Sequence, residues 1–132
     1  MKNIQDVILK LGFAYNPDKA IAELTFGFWT YQFASKQFAA GGSTLLNIFP
    51  ARPLGINHTG IFKKLSSINR IRNRIAHHEP ICFGTPFSIS TAYCNQKYSQ
   101  LVDILRWMDI DTASLLYGVD HVPHEIAFIK SI

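Results

Sequence analysis

Residues 24–78 contain no aspartate and no glutamate. Seven cations stand there unopposed: Lys36, Arg52, Lys63, Lys64, Arg70, Arg72 and Arg74. The flanks differ. Residues 1–23 balance three cations with three acids, and residues 79–132 set three cations against six acids. A long acid-free segment in a chain of net charge +4 favours a polyanionic partner, RNA first among them. The competing reading is a solvated basic face with nothing bound, over which the acidic C-terminal third folds back.

Charge is scarce as a whole. Asp, Glu, Lys and Arg make up 17% of the 132 residues, against about 25% in an average globular chain. Hydrophobic residues make up 48%. A single domain of this length buries roughly two-thirds of its unfolded surface, so part of that apolar supply is expected in a subunit interface. Long hydrophobic runs are missing. The longest charge-free stretch, 80–96, is interrupted by Gly84, Pro86 and several Ser and Thr, and no membrane span is expected. The N-terminal "MKNIQDVILK" has Asp6 inside its apolar segment and no small-residue cleavage site, so it does not read as a secretory signal. Cys82 and Cys94 are the only cysteines. Without a signal they are expected as free thiols in a reducing cytoplasm.

Alternating strands, hairpin turns, internal repeats and low-complexity tracts are all missing, which leaves an all-α class. "NPDKAIAELTFGFWTYQFAS" opens with Asn16 as N-cap and Pro17 at the first helical position. Its spacing predicts one long helix to about residue 37 or 40, ended by Gly41 and Gly42. Residues 20, 21, 24, 28 and 31 give it an apolar face, widened by Phe26, Trp29 and Phe33. Residues 41–58 read as a loop with one helical turn. Ile61, Leu65, Ile68, Ile71, Arg72 and Ile75 recur at threes and fours, predicting a helix over 59–78 stopped by Pro80. Residues 80–90 read as loop or a short extended arm. A helix over 91–108 follows, then a short one capped by Asp111 and ending near Gly118, then a last piece opened by Pro123.

The stretch that carries chemistry is "RIRNRIAHHEP", residues 70–80. At about 100° per residue, Arg72 falls on the apolar stripe of Leu65, Ile68 and Ile75, a costly place for an unpaired cation. Arg72 is therefore expected to be more buried than Arg70 or Arg74, with few protein acceptors and donors left free for a phosphate. Asn73 and His77 are four apart and share the adjacent face. Arg72 and His77 lie about 140° apart, so they meet only through the long arginine side chain or across a subunit boundary. These residue types suit RNA cleavage without a metal. Histidine can take the 2′-hydroxyl proton at neutral pH, and a planar guanidinium can hold two oxygens of the pentacoordinate phosphorus.

"RNRIAHHEP", with "LTFGFW" upstream and "LVDILRWMDIDTASLL" downstream, resembles the Abi-like (abortive infection, AbiD/AbiF type) proteins of the HEPN superfamily, over residues 20–118. Arg72, Asn73 and His77 match in order the superfamily's arginine, polar residue, three further residues and histidine. The resemblance implies a HEPN-like helical bundle forming a two-fold dimer, with two motifs in one cleft. It also implies metal-independent endoribonuclease activity of the toxin or phage-defence kind. On that reading Arg72, Asn73 and His77 are catalytic, Lys63, Lys64, Arg70, Arg74 and His78 bind RNA, no cofactor is needed, and an antitoxin or regulator is a further expected partner. Family members generally carry more helices before the "FGFW" region, so the chain is expected to be N-terminally short. Glu79 stands where HEPN toxins governed by a nucleotidyltransferase carry tyrosine, which argues against control by adenylylation. The alternative is a non-catalytic RNA- or protein-binding HEPN module.

Other candidates read as structural. His78 falls away from His77 and suits a solvent-exposed or helix-dipole role. A zinc site of His77, His78 and Cys82 lacks a fourth ligand. His121 and His124 sit in a weak tail. The aromatics of "TFGFWTYQF" suit core or interface better than base stacking. Glu79 has two possible partners, Arg72 and Arg74, as well as a neighbouring histidine.

Overall fold

The computed structural model describes residues 4–85 and 88–131. Among them there are eight α-helices and no strand; an isolated antiparallel bridge joins Phe83 and Ile89. The class is all-α. No helix among the described residues is long and apolar enough to cross a membrane.

α1 (Ile4–Leu11) is amphipathic and buries Val7. It packs on α2 (Pro17–Glu23), to which Lys10 donates through Glu23 at 2.6 Å. Asn16 caps α2 by accepting from the Asp18 amide at 2.8 Å, with Pro17 at the first position. The long helix expected from Pro17 to about residue 40 is instead three. α2 stops at Leu24, whose backbone is extended, and Thr25 starts α3 (Phe26–Tyr31) by accepting from the Phe28 amide at 3.2 Å. Ala34 is extended in turn, and α4 (Ser35–Gly41) follows. The apolar residues did have helical spacing, but Thr25 can cap a new helix, and Phe33, in the turn between α3 and α4, is the aromatic of this stretch that reaches the core. The expected stop at Gly41 and Gly42 is found, with Gly42 at φ 83° as C-cap.

Residues 43–57 carry a 3-10 segment, Ser43–Ile48. Arg52 holds this stretch together, donating to the carbonyls of Ile56, Leu46 and Phe49 at 3.3, 2.9 and 3.0 Å. One of the seven cations is thus spent on loop architecture. α5 (His58–Ala76) is the central helix, capped by Asn57, and it packs between α3 and α6 (Ala92–Trp107). Its Ile61, Leu65 and Ile68 join Phe33, Phe49 and Ile104 in the core. His58 belongs to the scaffold as well. Its ring stacks on Phe38 at 4.3 Å, and its Nδ1 lies 3.1 Å from the Phe33 carbonyl oxygen. α7 (Thr112–Leu115) is capped by Asp111 as expected, and α8 (Val122–Lys130) buries Ile126 against the body rather than trailing as a weak tail.

Both long helices end in the same way. At α5, the His78 amide donates to the Ile75 carbonyl at 3.0 Å and the Glu79 amide to that of Arg74 at 2.8 Å. At α6, Asp109 and Ile110 bond Arg106 and Leu105 in the same pattern, at 3.0 and 3.1 Å. This is the Schellman arrangement, which places one residue in the left-handed region and favours glycine there. The residues here are His78 (φ 55°) and Asp109 (φ 61°). The left-handed backbone costs a side chain about 1–2 kcal/mol. His78→Gly and Asp109→Gly are therefore each expected to stabilise the chain by about 0.5–1 kcal/mol, less than the full strain because glycine also loosens the unfolded chain. Urea titration of each variant checks this; a loss of stability in both would contradict it.

Alkaline pH should loosen the fold. Burial of the Cys94 thiol, then its hydrogen bond to Cys82 and the Cys82 charge, push it up from 9.0 to about 11, against a small opposing effect of Arg74. The Tyr98 phenol is raised mainly by donating its hydrogen bond to Asp120, then by burial. Both groups hold their protons more tightly when folded. Below pH 9.0 the Cys94 contribution is fully present, and it is lost as pH rises from there to about 11. Urea midpoints should fall across that interval and fall less in Cys94→Ala. A flat profile in the parent chain would refute it.

Candidate functional site

The last two turns of α5 carry Arg70, Arg72, Asn73, Arg74 and, at the C-cap, His77. The order of burial among the arginines is the reverse of that expected. Arg72 is exposed, Arg70 is exposed, and Arg74 is the half-buried one. Arg72 does continue the line of Ile61, Leu65 and Ile68, but the cover ends before the helix does. The start of α3 lies beside Asn69, and next to it opens a cleft of about 490 Å³ lined by Leu24, Thr25, Phe26, Gly27, Asn69, Arg72 and Asn73. Arg72 reaches into solvent at that cleft rather than into a core.

Its guanidinium has one protein acceptor, the Asn73 side-chain oxygen at 3.2 Å from Nη1. Its remaining donors have no acceptor among the described residues, as a phosphate ligand would require. Asn73 thus spends its oxygen on Arg72, and its link to His77 runs through the backbone, the His77 amide donating to the Asn73 carbonyl at 3.0 Å. The His77 imidazole is exposed and makes no side-chain hydrogen bond with a described residue. No hydrogen bond joins it to Arg72. His78, in its left-handed conformation, is exposed too.

Arg74 has a different occupation. Its Nε donates to Glu79 at 3.2 Å, its Nη2 donates to the Pro80 carbonyl, and the guanidinium lies 5.4 Å from the centre of the Tyr93 ring. Of the two arginines open to Glu79 by sequence, Arg74 has it. These bonds clamp the turn that follows α5 and help to keep His78 in its strained backbone. Lys64 is likewise engaged: its Nζ is 2.6 Å from Asp103 and 4.6 Å from the centre of the Trp107 ring. The acidic third therefore does fold back over part of the basic segment. Lys63 and Arg70 stay exposed. Seven residues apart, they lie on nearly the same side of α5, roughly opposite Arg72. An RNA strand touching all three would have to wrap the end of the helix.

No protein-family model, curated protein or solved structure matches this chain. What the site can do rests on its own chemistry. An exposed guanidinium with free donors, two carboxamides (Asn69 and Asn73, four apart on one face) and an exposed imidazole one turn on can bind and protonate an anion. Asn69 and the cleft wall were not foreseen. The wall exists only because the chain breaks at Leu24 and Thr25; with a continuous helix there, Gly27 would not face Asn69, whose Nδ2 lies 3.5 Å from where a side chain on Gly27 would start. The aromatics divide: Phe33 is buried, while Phe26, Trp29 and Tyr31 are each more than 40% exposed. Among the described residues no group of three or more His, Cys, Asp or Glu side chains is placed to hold a metal ion.

Proposed function

We propose that the chain is a metal-independent endoribonuclease of the HEPN, Abi-like kind, acting in the cytoplasm as a toxin or phage-defence factor. The observation that carries this reading is the pairing of an exposed, acid-free Arg72 with an exposed, unbonded His77 at the end of one helix. A solubilising helix end would not need to leave a guanidinium with a single neutral acceptor while its neighbours Arg74 and Lys64 find carboxylates. In the reaction, the His77 imidazole accepts the proton of the 2′-hydroxyl as that oxygen attacks phosphorus. The bond from phosphorus to the 5′-oxygen breaks, and the leaving oxygen takes a proton from an imidazolium. Arg72 matches the charge that builds on the non-bridging oxygens, and Asn73 fixes its guanidinium. The products are a 2′,3′-cyclic phosphate and a 5′-hydroxyl.

Because no hydrogen bond joins Arg72 to His77 within one chain, the reading includes a two-fold homodimer that combines them. Ile75, 54% exposed between the two, is a residue such an interface would cover. Arg70, Lys63 and His78 would then guide the RNA backbone, with Lys64 and Arg74 acting mainly within the fold. An antitoxin or regulator remains part of the proposal.

The deciding measurement is cleavage of a structured RNA in EDTA by the parent chain and by His77→Ala. The parent should cut, leaving cyclic phosphate ends, and the variant should lose about 10²-fold or more. Cleavage that needs magnesium, or that survives in His77→Ala, overturns the enzyme. The absence of a hydrogen bond between Arg72 and His77 favours a second reading, a binding module without activity. RNA binding that weakens with salt, in a chain that never cuts, would select it.

A further inference from the structure

Cys82 and Cys94 lie on different elements, yet their Sγ atoms are 3.5 Å apart. Both are free thiols, and they are the chain's only cysteines. Cys94 sits buried in the first turn of α6. Cys82 is half-buried, and its segment pairs with residues 88–90: the Ser90 amide donates to the Cys82 carbonyl at 2.9 Å and the Gly84 amide donates to that of Ser88 at 2.8 Å. The Cys94 thiol also lies 3.2 Å from the Ile81 carbonyl, which fastens the residue before Cys82 to the same spot. The two sulfurs line one apolar groove of about 470 Å³ between α5, α6 and α8, with Ile71 and Ile75 on one wall and Val122 and Ile126 on another. Packing alone would be met by alanine or valine at these places. Two thiols already in contact offer a reaction as well.

We propose that Cys82 and Cys94 are a modification site that a peroxide converts to an intramolecular disulfide, locking the segment after α5 onto α6. Cys82, the more exposed of the two residues, gives up its thiol proton and reacts first. Its S–O bond forms as the peroxide O–O bond breaks, giving a sulfenic acid and a hydroxide that takes up the proton the Cys82 thiol released, as water. The Cys94 sulfur then attacks the Cys82 sulfur. The S–S bond forms, the S–O bond breaks, and the departing hydroxide carries away the Cys94 proton as water. Two thiols lose two electrons, and one hydrogen peroxide becomes two waters.

The order of events follows from the surroundings. Cys94 is held as the neutral thiol at physiological pH by its burial and its contact with Cys82, and the thiolate is the form that attacks a peroxide. Closing the sulfurs to about 2.05 Å needs a shift that a turn of the half-buried Cys82 side chain can supply. Glu79 and Pro80 are already tied to α5 by Arg74. The oxidised chain would therefore join the ends of α5 and α6 through residues 77–82, the stretch that holds His77 and His78. The inference does not depend on RNA cleavage.

The test treats the reduced full chain with hydrogen peroxide, alkylates what thiols remain, and reads the intact mass. The expected product is lighter by two hydrogens, carries no alkyl group, and returns to the starting mass with dithiothreitol. Amide exchange over residues 77–91 should slow in that product. Cys94→Ser should stop at a Cys82 sulfenic acid that dimedone traps, and Cys82→Ser should resist the same dose. Oxygen adducts without loss of two hydrogens in the parent chain, chains crosslinked to one another instead, or unchanged exchange over 77–91 would each overturn the proposal. The parent reaction decides even where a serine variant fails to fold.

Discussion

Arg72→Ala is expected to lower RNA cleavage by about 10²–10³-fold, the usual cost of removing one donor to a developing oxyanion. The fold should scarcely notice. Arg72 is exposed, and its one side-chain bond among the described residues goes to a neutral oxygen on the adjacent residue, so the stability change should stay within about 0.5 kcal/mol. Arg74→Ala should do the opposite. It removes the donors that clamp Glu79 and Pro80 and the cation over Tyr93. A loss of about 1 kcal/mol is expected, modest because the pair with Glu79 is partly exposed, while cleavage changes much less than in Arg72→Ala. Arg72→Lys should restore little, since an ammonium cannot hold two oxygens in one plane. Cleavage rates and urea midpoints for the three variants check the whole pattern. Equal effects of Arg72→Ala and Arg74→Ala on cleavage would make the helix end a diffuse basic surface and not a site.

The largest effect on stability is expected at Ile61. Its side chain is fully buried, with 0% exposure, among Phe33, Phe49, Leu65, Ile68 and Ile104. α3, α5 and α6 all contribute to that cluster or pack on the helix that carries it, so a void there has no mobile edge to collapse. Ile61→Ala should cost about 2–5 kcal/mol, a large share of the about 5–15 kcal/mol that holds a domain of this kind. Ile75→Ala, fourteen positions along the same helix but mostly exposed, should cost under about 0.5 kcal/mol in the monomer. If dimerisation covers Ile75, the same substitution should instead weaken association. Calorimetry at two protein concentrations separates these cases. A loss at Ile61 no greater than that at Ile75 would mean the core does not run through α5 as described.

What the sequence by itself determined were features written into local spacing and local chemistry. The helical period of Ile61, Leu65 and Ile68 placed α5 and its buried stripe, Asn16 with Pro17 started α2, and Asp111 capped α7. Each depends on residues within a turn or two of one another, and the same holds for the missing acids between residues 24 and 78. The tertiary structure decided where cover stops and which charges find partners. Periodicity put Arg72 on the inward face, but whether an inward face meets anything depends on the length and position of other elements, and here α3 begins too late to cover it. Lys64 meets Asp103 across 39 residues, and Cys82 meets Cys94 across 12. Arg52 turns to carbonyls of its own loop. The break at Leu24 and Thr25 lay between the two kinds of information. Threonine can cap or continue a helix; here Thr25 caps α3, and Phe33 beyond it joins the core. That break opens the cleft beside Arg72, so the same packing that divides the expected helix also shapes the candidate site.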